Sequence, residues 1–576
     1  MNLRAGTYSG TLTPANSGSG ISSRIVFQAY TGETVTFSGG SPSVELSGVS
    51  YIALLGFTFA NTTTIDIRVE GGASHNEIGN NTFTNTAGGD GLAAWAIYMT
   101  GAQNQQWTQY NWIHNNTFTT SGQAVGSGGS GCTDGGGDLM IIGAPYGSFS
   151  NTVENDNYNT VENNVFAYSA HAEIDSYGMY NVFRNNYFHN EPWSSGCPNS
   201  GGTYNVYTYS SSNPNYSAYN GSFGHRNWQI TDDYLRTGVF NLIESNRSGY
   251  AGVNQANDGA DDFSLAAPQN IIRYNFTFAG MNPGLMFKYG WNSGLGAGGN
   301  GGTYNRIYNN TFYQNGYGYP WAGKGGACAQ STCPWPQSAI SLYYSTTSGV
   351  GNVLKNNIFY LSAGYTNYSA DVLQKGGPSN GWQYIGTALH NWCSGSQTST
   401  DSQGNTGCSA SGNPQFNNPD ISNPLSTTLP DLSLQASSPA IDGGTNLTTA
   451  TNSGANSTTL TVADALYFQD GTWGSDLAGA SAGLGGTMQA DWIAISSVTN
   501  VVQIASVSYG AYNNPAGTIK LASPMTWNSG DRIWLYKKSD GAVVLAGAAP
   551  DYGASEYTSS TKTGSTVPTN IQVTVQ

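Results

Sequence analysis

The sequence predicts an all-β chain whose main body is a right-handed parallel β-helix, a solenoid, carrying a small all-β module inserted near the C-terminal end. Three observations predict it. An eight-residue phrase, Asn-apolar-apolar-any-any-Asn-any-aromatic, recurs along the chain. Its starts at 159, 181, 241, 270, 305 and 352 lie 22, 60, 29, 35 and 47 residues apart, and the shortest is about one coil of a solenoid with repeats of roughly 20–45 residues. Charged residues are only 9% of the chain while aromatic residues are 12%, which supplies a core and argues against disorder.

The phrase occurs as Asn76-Glu-Ile-Gly-Asn-Asn-Thr-Phe83, then from Asn111, Asn159, Asn181, Asn305 and Asn352, with looser versions at Asn241 and Asn270. It reads as strand, corner, strand. Asn tolerates the left-handed backbone that a sharp corner requires, and paired Asn with β-branched residues makes a poor helix. Stacked corners should place Asn over Asn in a hydrogen-bonded ladder and Phe over Phe inside. The sequons at Asn80 and Asn309 fall inside this pattern and read as corner chemistry.

A solenoid grows in one dimension, so 576 residues need not divide into compact domains. The net charge of −15 and the absence of a basic patch exclude a nucleic-acid partner. No run of about 18 apolar residues exists to span a membrane. The 6 cysteines, in a Ser/Thr/Asn/Gly-rich chain, suggest disulfides and an extracellular location. Cys328 with Cys333, Cys393 with Cys408 and Cys132 with Cys197 are the expected pairs. The chain enters a strand-like pattern at once after Met1, without a charged n-region or an apolar h-region, as expected if a signal peptide has been removed or the sequence starts short of the natural N-terminus.

Residues 1–60 alternate short β runs with turns: Arg24–Tyr30, Glu33–Phe37 and Tyr51–Phe59. Gly6-Thr-Tyr-Ser-Gly, Ile25-Val-Phe and Gly32-Glu-Thr-Val resemble the opening coils of secreted bacterial right-handed parallel β-helix proteins of the pectate-lyase-like superfamily. Members begin with one further coil and a cap that this sequence lacks, which implies an open first coil. From 76 to about 362 the phrase is interrupted by insertions at 120–150, 190–240, 250–268, 288–303 and 316–338, the loops expected to wall a groove. Asn413-Pro-Gln-Phe, Asp431-Leu-Ser-Leu and Ser437–Gly444, then Pro550–Tyr557, resemble the superfamily's closing signature, split by about a hundred residues. We therefore expect domains at 1–444 (β-helix), 445–549 (inserted module) and 550–576 (closing segment and C-terminal strand). Strands within the module are expected at Thr458–Val462, Trp492–Ile495, Val501–Ile504, Thr518–Leu521 and Arg532–Tyr536. The tail ends in a strand, Asn570–Gln576, free to pair with an edge.

The resemblance implies a polysaccharide ligand and an activity of the lyase or glycoside hydrolase type, although fold does not determine function. A lyase needs a base beside a uronate carboxyl; a hydrolase needs two carboxyls. His171, Glu173 and Asp175 lie at i, i+2 and i+4 of one strand and so share a face, a spacing that fits acid–base chemistry, a metal site or an exposed polar coil face. Asp232 and Asp233 are further acidic candidates, and Asp258, Asp261 and Asp262 sit in a Gly loop that fits Ca²⁺ or a solvated turn. Lys288 is the candidate base. His225, Arg226, Trp228 and Trp291 are candidates for stacking against sugar. None of these positions matches a catalytic motif of a characterised family. The alternative is a non-catalytic surface scaffold, adhesin or filament subunit, in which an open coil and a free strand self-associate end to end.

Overall fold

The computed structural model describes residues 1–60, 65–86, 95–100, 106–121, 139–143, 156–167, 172–189, 226–230, 240–249, 263–265, 267–280, 283–287, 302–315, 339–342, 351–361, 372–374, 386–394, 407–421, 428–511 and 514–558. Three long parallel sheets run through them. The first has 12 strands, from Asn2–Leu3 to Thr387–Leu389, the second 13, from Gly6–Tyr8 to Cys408–Ser411, and the third 10, from Val44–Ser47 to Val372–Gln374. Successive strands enter the three sheets in rotation, as Glu77–Gly79, Thr82–Thr86 and Trp95–Thr100 show. That rotation is a β-helix, wound in the right-handed sense that parallel crossovers take in about 98% of cases. Among the described residues the only helices are three short 3₁₀ turns, and no helix is long and apolar enough to cross a membrane.

Each member of the recurring phrase has its own job. The third points into the first sheet's core: Ile78, Ile113, Val161 and Phe183 lie in register and join one buried cluster. The eighth fills the core of the second sheet, where Phe59, Phe83, Phe118, Phe166 and Phe188 stack with centroids 4.5–5.1 Å apart. Offset stacking at this spacing adds dispersion to burial. The first and sixth members build two separate ladders of asparagine. In the first, the Asn111 Oδ1 accepts from the backbone N of Asn76 at 3.0 Å and from its Nδ2 at 3.1 Å. The same pattern continues through Asn159, Asn181, Asn241, Asn270, Asn305 and Asn352. The second runs from Asn81 to Asn391 with backbone N to Oδ1 distances of 2.9–3.0 Å. These amides meet the donors and acceptors that a bend leaves unpaired in a buried place.

The left-handed corner falls on the fifth member, with φ of 57° at Asn80, 54° at Asn115 and 56° at Asn163. The residue before the first Asn is left-handed too, and this second corner is mostly aromatic. Tyr51, His75, Tyr110, Tyr158, Tyr180 and Phe240 stack there at 4.9–5.3 Å. Stacking along the column offsets the strain of positive φ on a bulky residue.

Two layers cover the β-helix from outside. Phe416–Asn418 and Asp431–Leu434 form a hairpin whose Phe416, Leu432 and Leu434 pack on Phe276, Tyr313 and Ile358 of the second sheet. The C-terminal module is a six-stranded antiparallel sheet between Thr448 and Lys537 that packs on the outer face of the first. Its five expected strands are all present. The two halves of the closing signature meet around it: the Tyr552 N donates to Ala440 O at 3.0 Å and the Gly444 N to Pro550 O at 2.8 Å. Cys393 and Cys408 form a disulfide; the other four cysteines, and the strand expected at 570–576, lie outside the described residues.

Candidate functional site

Parallel stacking turns each strand position into a row running along the helix, so a site is built from rows. On the outer face of the first sheet the fourth phrase members form the row His114, Glu162, Arg184, Glu244, Arg273, Tyr308, Lys355. Its charges alternate and are closed under the module. The Arg184 Nε donates to Glu162, and the Trp112 Nε1 donates to the other Glu162 oxygen at 2.7 Å. The Arg273 guanidinium bridges Glu244 and Asp491, with 2.7 Å to each Asp491 oxygen. The Ser539 hydroxyl caps Glu244, and the Tyr308 hydroxyl donates to Tyr467 O. Burial works against the Arg273 charge, but Asp491 and Glu244 together outweigh it and hold its pKa well above the ordinary value. Burial lowers His114 to about 4 and Lys355 to about 8. Every group in this row is spoken for, so it reads as an interface between module and β-helix.

The third sheet differs. Its inward residues, Val44, Ile67, Ile97 and Met140, fill the core, and the alternating outward row reads Glu45, Arg68, Tyr98, Ile141, Asp175. In the first coils this row is part-open, the Arg68 side chain being 32% exposed and that of Glu45 28%. The Arg68 Nη1 stands 4.0 Å from Glu45 Oε1. Glu70 lies two residues along the same face, opposite Ser47. Burial raises the Glu70 carboxyl, Arg68 opposes it, and Glu45 raises it again. The Tyr98 ring lies 4.7 Å from that of Trp95, and burial raises its phenol. Two carboxyls, one guanidinium and two aromatic rings thus share one part-open face.

Of the residues expected from sequence, Glu173 and Asp175 flank the core residue Ile174 and so point outward on this same sheet. Both are buried, at 0% and 3% exposure, and the Tyr177 hydroxyl donates to Asp175 at 2.9 Å. Asp175 shares the row of Glu45, Arg68 and Tyr98, three strands further on than Tyr98's neighbour Arg68. The strand Arg226–Ile230 continues the third sheet beside Ala172–Ser176, with the backbone of Arg226 opposite Ala172 and that of Trp228 opposite Ile174. His171, His225, Asp232, Asp233, Asp258, Asp261, Asp262, Lys288 and Trp291 lie outside the described residues. Among the described residues no three His, Cys, Asp or Glu side chains gather as a metal site. Sequence reading missed Glu45, Arg68, Glu70, Trp95 and Tyr98. The signal was there as strict alternation in Val44-Glu-Leu-Ser47, Ile67-Arg-Val-Glu70 and Ile97-Tyr-Met-Thr100.

No family model and no curated protein matches the chain. Among solved structures it is similar to the pectate lyase Pel9A, at 14% identity and a TM-score of 0.36, over 77% of this chain and 82% of that one. It is also similar to the PL6 family alginate lyase AlyGC, at 14% identity and 0.37, over 75% of this chain and 54% of that one. A third is the A-module of the mannuronan C-5 epimerase AlgE6 of Azotobacter vinelandii, at 11% identity and 0.37, over 72% and 91%. Likeness of this extent concerns the coiled architecture.

Proposed function

We propose that the chain is an extracellular carbohydrate-active protein that binds an extended polysaccharide along the outer face of the third sheet, across Trp95, Tyr98 and the Glu45–Arg68–Glu70 group. One observation carries this reading: on that face aromatic rings and hydrogen-bonding charges stand side by side in straight, part-open rows. Strands about 4.8 Å apart repeat a side-chain position at regular steps, and a polymer of like units is the ligand that uses such repetition. Aromatic rings offer apolar area to sugar rings, while the carboxyls and the guanidinium orient hydroxyls. The Cys393–Cys408 disulfide supports an oxidising compartment.

Affinity electrophoresis against soluble polysaccharides tests it. The wild-type chain should be retarded by at least one of them, and Trp95→Ala together with Tyr98→Ala should weaken the retardation at least tenfold. No retardation by any polymer, or retardation indifferent to both substitutions, overturns the proposal.

A further inference from the structure

We infer that the outward face of the C-terminal module is a second binding surface, separate from the third sheet, and that it takes a polysaccharide whose sugars carry carboxylates.

Alternation defines the face. Ile493, Val502, Ile519, Ile533 and Leu535 turn into the buried cluster that the module shares with the first sheet, so their neighbours in each strand point the other way. On that other side Ala494 and Trp534 form a small cluster of their own, with Val501 and Tyr536 packed against it. The six strands of the module hold three charged side chains, Lys520, Arg532 and Lys537, and all three are cations. Lys520 follows the inward Ile519 and Arg532 precedes the inward Ile533, so both point outward, and both are exposed. The Lys537 ammonium stands 4.8 Å from the centroid of the outward Trp492 ring and 5.8 Å from that of Tyr536, which puts it on the same face.

Strand pairing arranges the cations on a diagonal. Lys537 lies opposite Trp492, and Trp492 opposite Gln503. Lys520 lies opposite Ser506, further along the strand of Gln503. At roughly 3.3 Å per residue and 4.8 Å per strand, the line from Arg532 through Lys537 to Lys520 is about 30 Å long. The three are scattered in the sequence, so no basic run announces them.

Among the described residues none of the three forms an ion pair with a carboxylate, whereas Arg184, Arg273, Arg306 and Lys538 each do. Lys520 donates to the Thr459 hydroxyl at 2.6 Å, and Lys537 rests on rings. Asp531, next to Arg532 in the chain, accepts from the backbone N of Asn528 at 2.8 Å and is committed to its own turn. Lys and Arg number 18 in this chain against 33 Asp and Glu. Three cations left without a carboxylate on one face, where carboxylates are in excess, point to an anion that comes from outside.

The rings between the cations say what carries that anion. Trp492 and Tyr536 are part-exposed and offer apolar area to sugar rings beside the charges. A nucleic acid brings a charge about every 1.7 Å and is met by a dense basic face; three cations over about 30 Å suit the sparser charge of a carboxylated glycan. The net charge of −15 does not forbid such a ligand, because exposed charges further apart than about 8 Å are largely screened at physiological salt.

The test uses the full chain carrying Trp95→Ala and Tyr98→Ala, so that the third-sheet face is already weakened. Affinity electrophoresis is run against polygalacturonate and alginate, with dextran and dextran sulfate as the uncharged and the sulfated control, and circular dichroism confirms that variants are folded. We expect retardation by at least one carboxylated polymer and none by dextran. It should fade between about 0.01 M and about 1 M salt, as the screening length falls from about 30 Å to about 3 Å. Adding Lys520→Gln, Arg532→Gln and Lys537→Gln should weaken it at least tenfold, while Lys520→Arg with Lys537→Arg should keep it. Three results overturn the inference and leave the third-sheet reading to be judged on the wild-type chain: no retardation by either carboxylated polymer, retardation that the three glutamines leave unchanged, or retardation by dextran sulfate alone. A dimer in sedimentation velocity that the three glutamines dissolve assigns the face to a second copy of the chain and overturns it as well.

Discussion

The outer face of the first sheet and the outer face of the third carry similar side chains on the same scaffold, yet their charges are completed in opposite ways. On the first, Glu162, Arg184, Glu244 and Arg273 alternate in sign, and the module adds Asp491 and Ser539 to complete their bonding. On the third, Glu45, Arg68 and Glu70 are one cation short and part-open. Alternation closed by a partner makes an interface, and the desolvation of its charges is offset only while every partner stays in place. The third-sheet group is incompletely neutralised and stands beside aromatic rings where solvent reaches it. What separates the two faces is the count of partners and the access of solvent, since residue type is the same on both.

The largest expected effect tests the closed face. Arg273→Met should destabilise the chain by about 3–5 kcal/mol, because it strands the carboxylates of Glu244 and Asp491 in a dry interface. Chemical denaturation followed by tryptophan fluorescence measures it; a loss below about 1 kcal/mol would mean that the row is wet and the contrast false. Next comes a corner. Asn186 Oδ1 accepts from the backbone N and the Nδ2 of Asn164, and its Nδ2 donates to Val161 O and Asn246 Oδ1. Asn186→Ala should cost about 1–3 kcal/mol by leaving buried donors unmet. An unchanged denaturation midpoint would show water taking its place.

A third prediction concerns pH. In the closing segment burial raises Glu556 to about 8 and Asp551 to about 6, Asp551 adding to the Glu556 shift and Asp442 to that of Asp551. The folded chain thus holds protons that the unfolded chain, with ordinary carboxyl pKa values, has released. Their contribution is fully present below about pH 4 and is lost as pH rises through about 8. Thermal midpoints between pH 5 and 9 should fall with pH in the wild type, and Glu556→Gln should flatten the slope. An equal slope in the variant would rule Glu556 out as its source. The smallest stability effect belongs to the open face: Arg68→Gln should change stability by less than about 1 kcal/mol while weakening gel retardation by glycan. If it costs as much as Arg273→Met, the two faces are alike and the comparison fails.

Much of the fold was legible because the phrase repeats one residue type at fixed slots: Asn at the first and sixth, an aromatic at the eighth. The fourth slot reads as variable because its identity changes from Glu162 to Arg184 to Glu244 to Arg273. Only the sign of its charge is regular, and sign alternates between coils that register alone makes neighbours. The aromatic before the first Asn was equally readable at Tyr110, Tyr158 and Tyr180, but it sits outside the phrase's frame. Glu45, Arg68 and Glu70 show clear alternation within their strands; that they form one group follows from pairing Val44–Ser47 with Ile65–Glu70, which no local pattern announces. The insertions carry no repeat, so sequence cannot assign Asp232, Asp258 or Lys288 to a coil.

The asparagine ladders have a consequence for how such a protein changes over generations. Adjacent rungs are joined by the same backbone N to Oδ1 bond whether 22 residues separate them, as from Asn159 to Asn181, or 60, as from Asn181 to Asn241. Lengthening a coil by that amount adds about 1 kcal/mol of loop-closure entropy, comparable to one net hydrogen bond of about 0.5–1.5 kcal/mol, while each rung makes several. Novel loops can therefore be tried at a coil's edge without disturbing the gauge of the coils above and below. The architecture separates the frame from the text: the corners keep one chemistry from coil to coil, while the length between them varies.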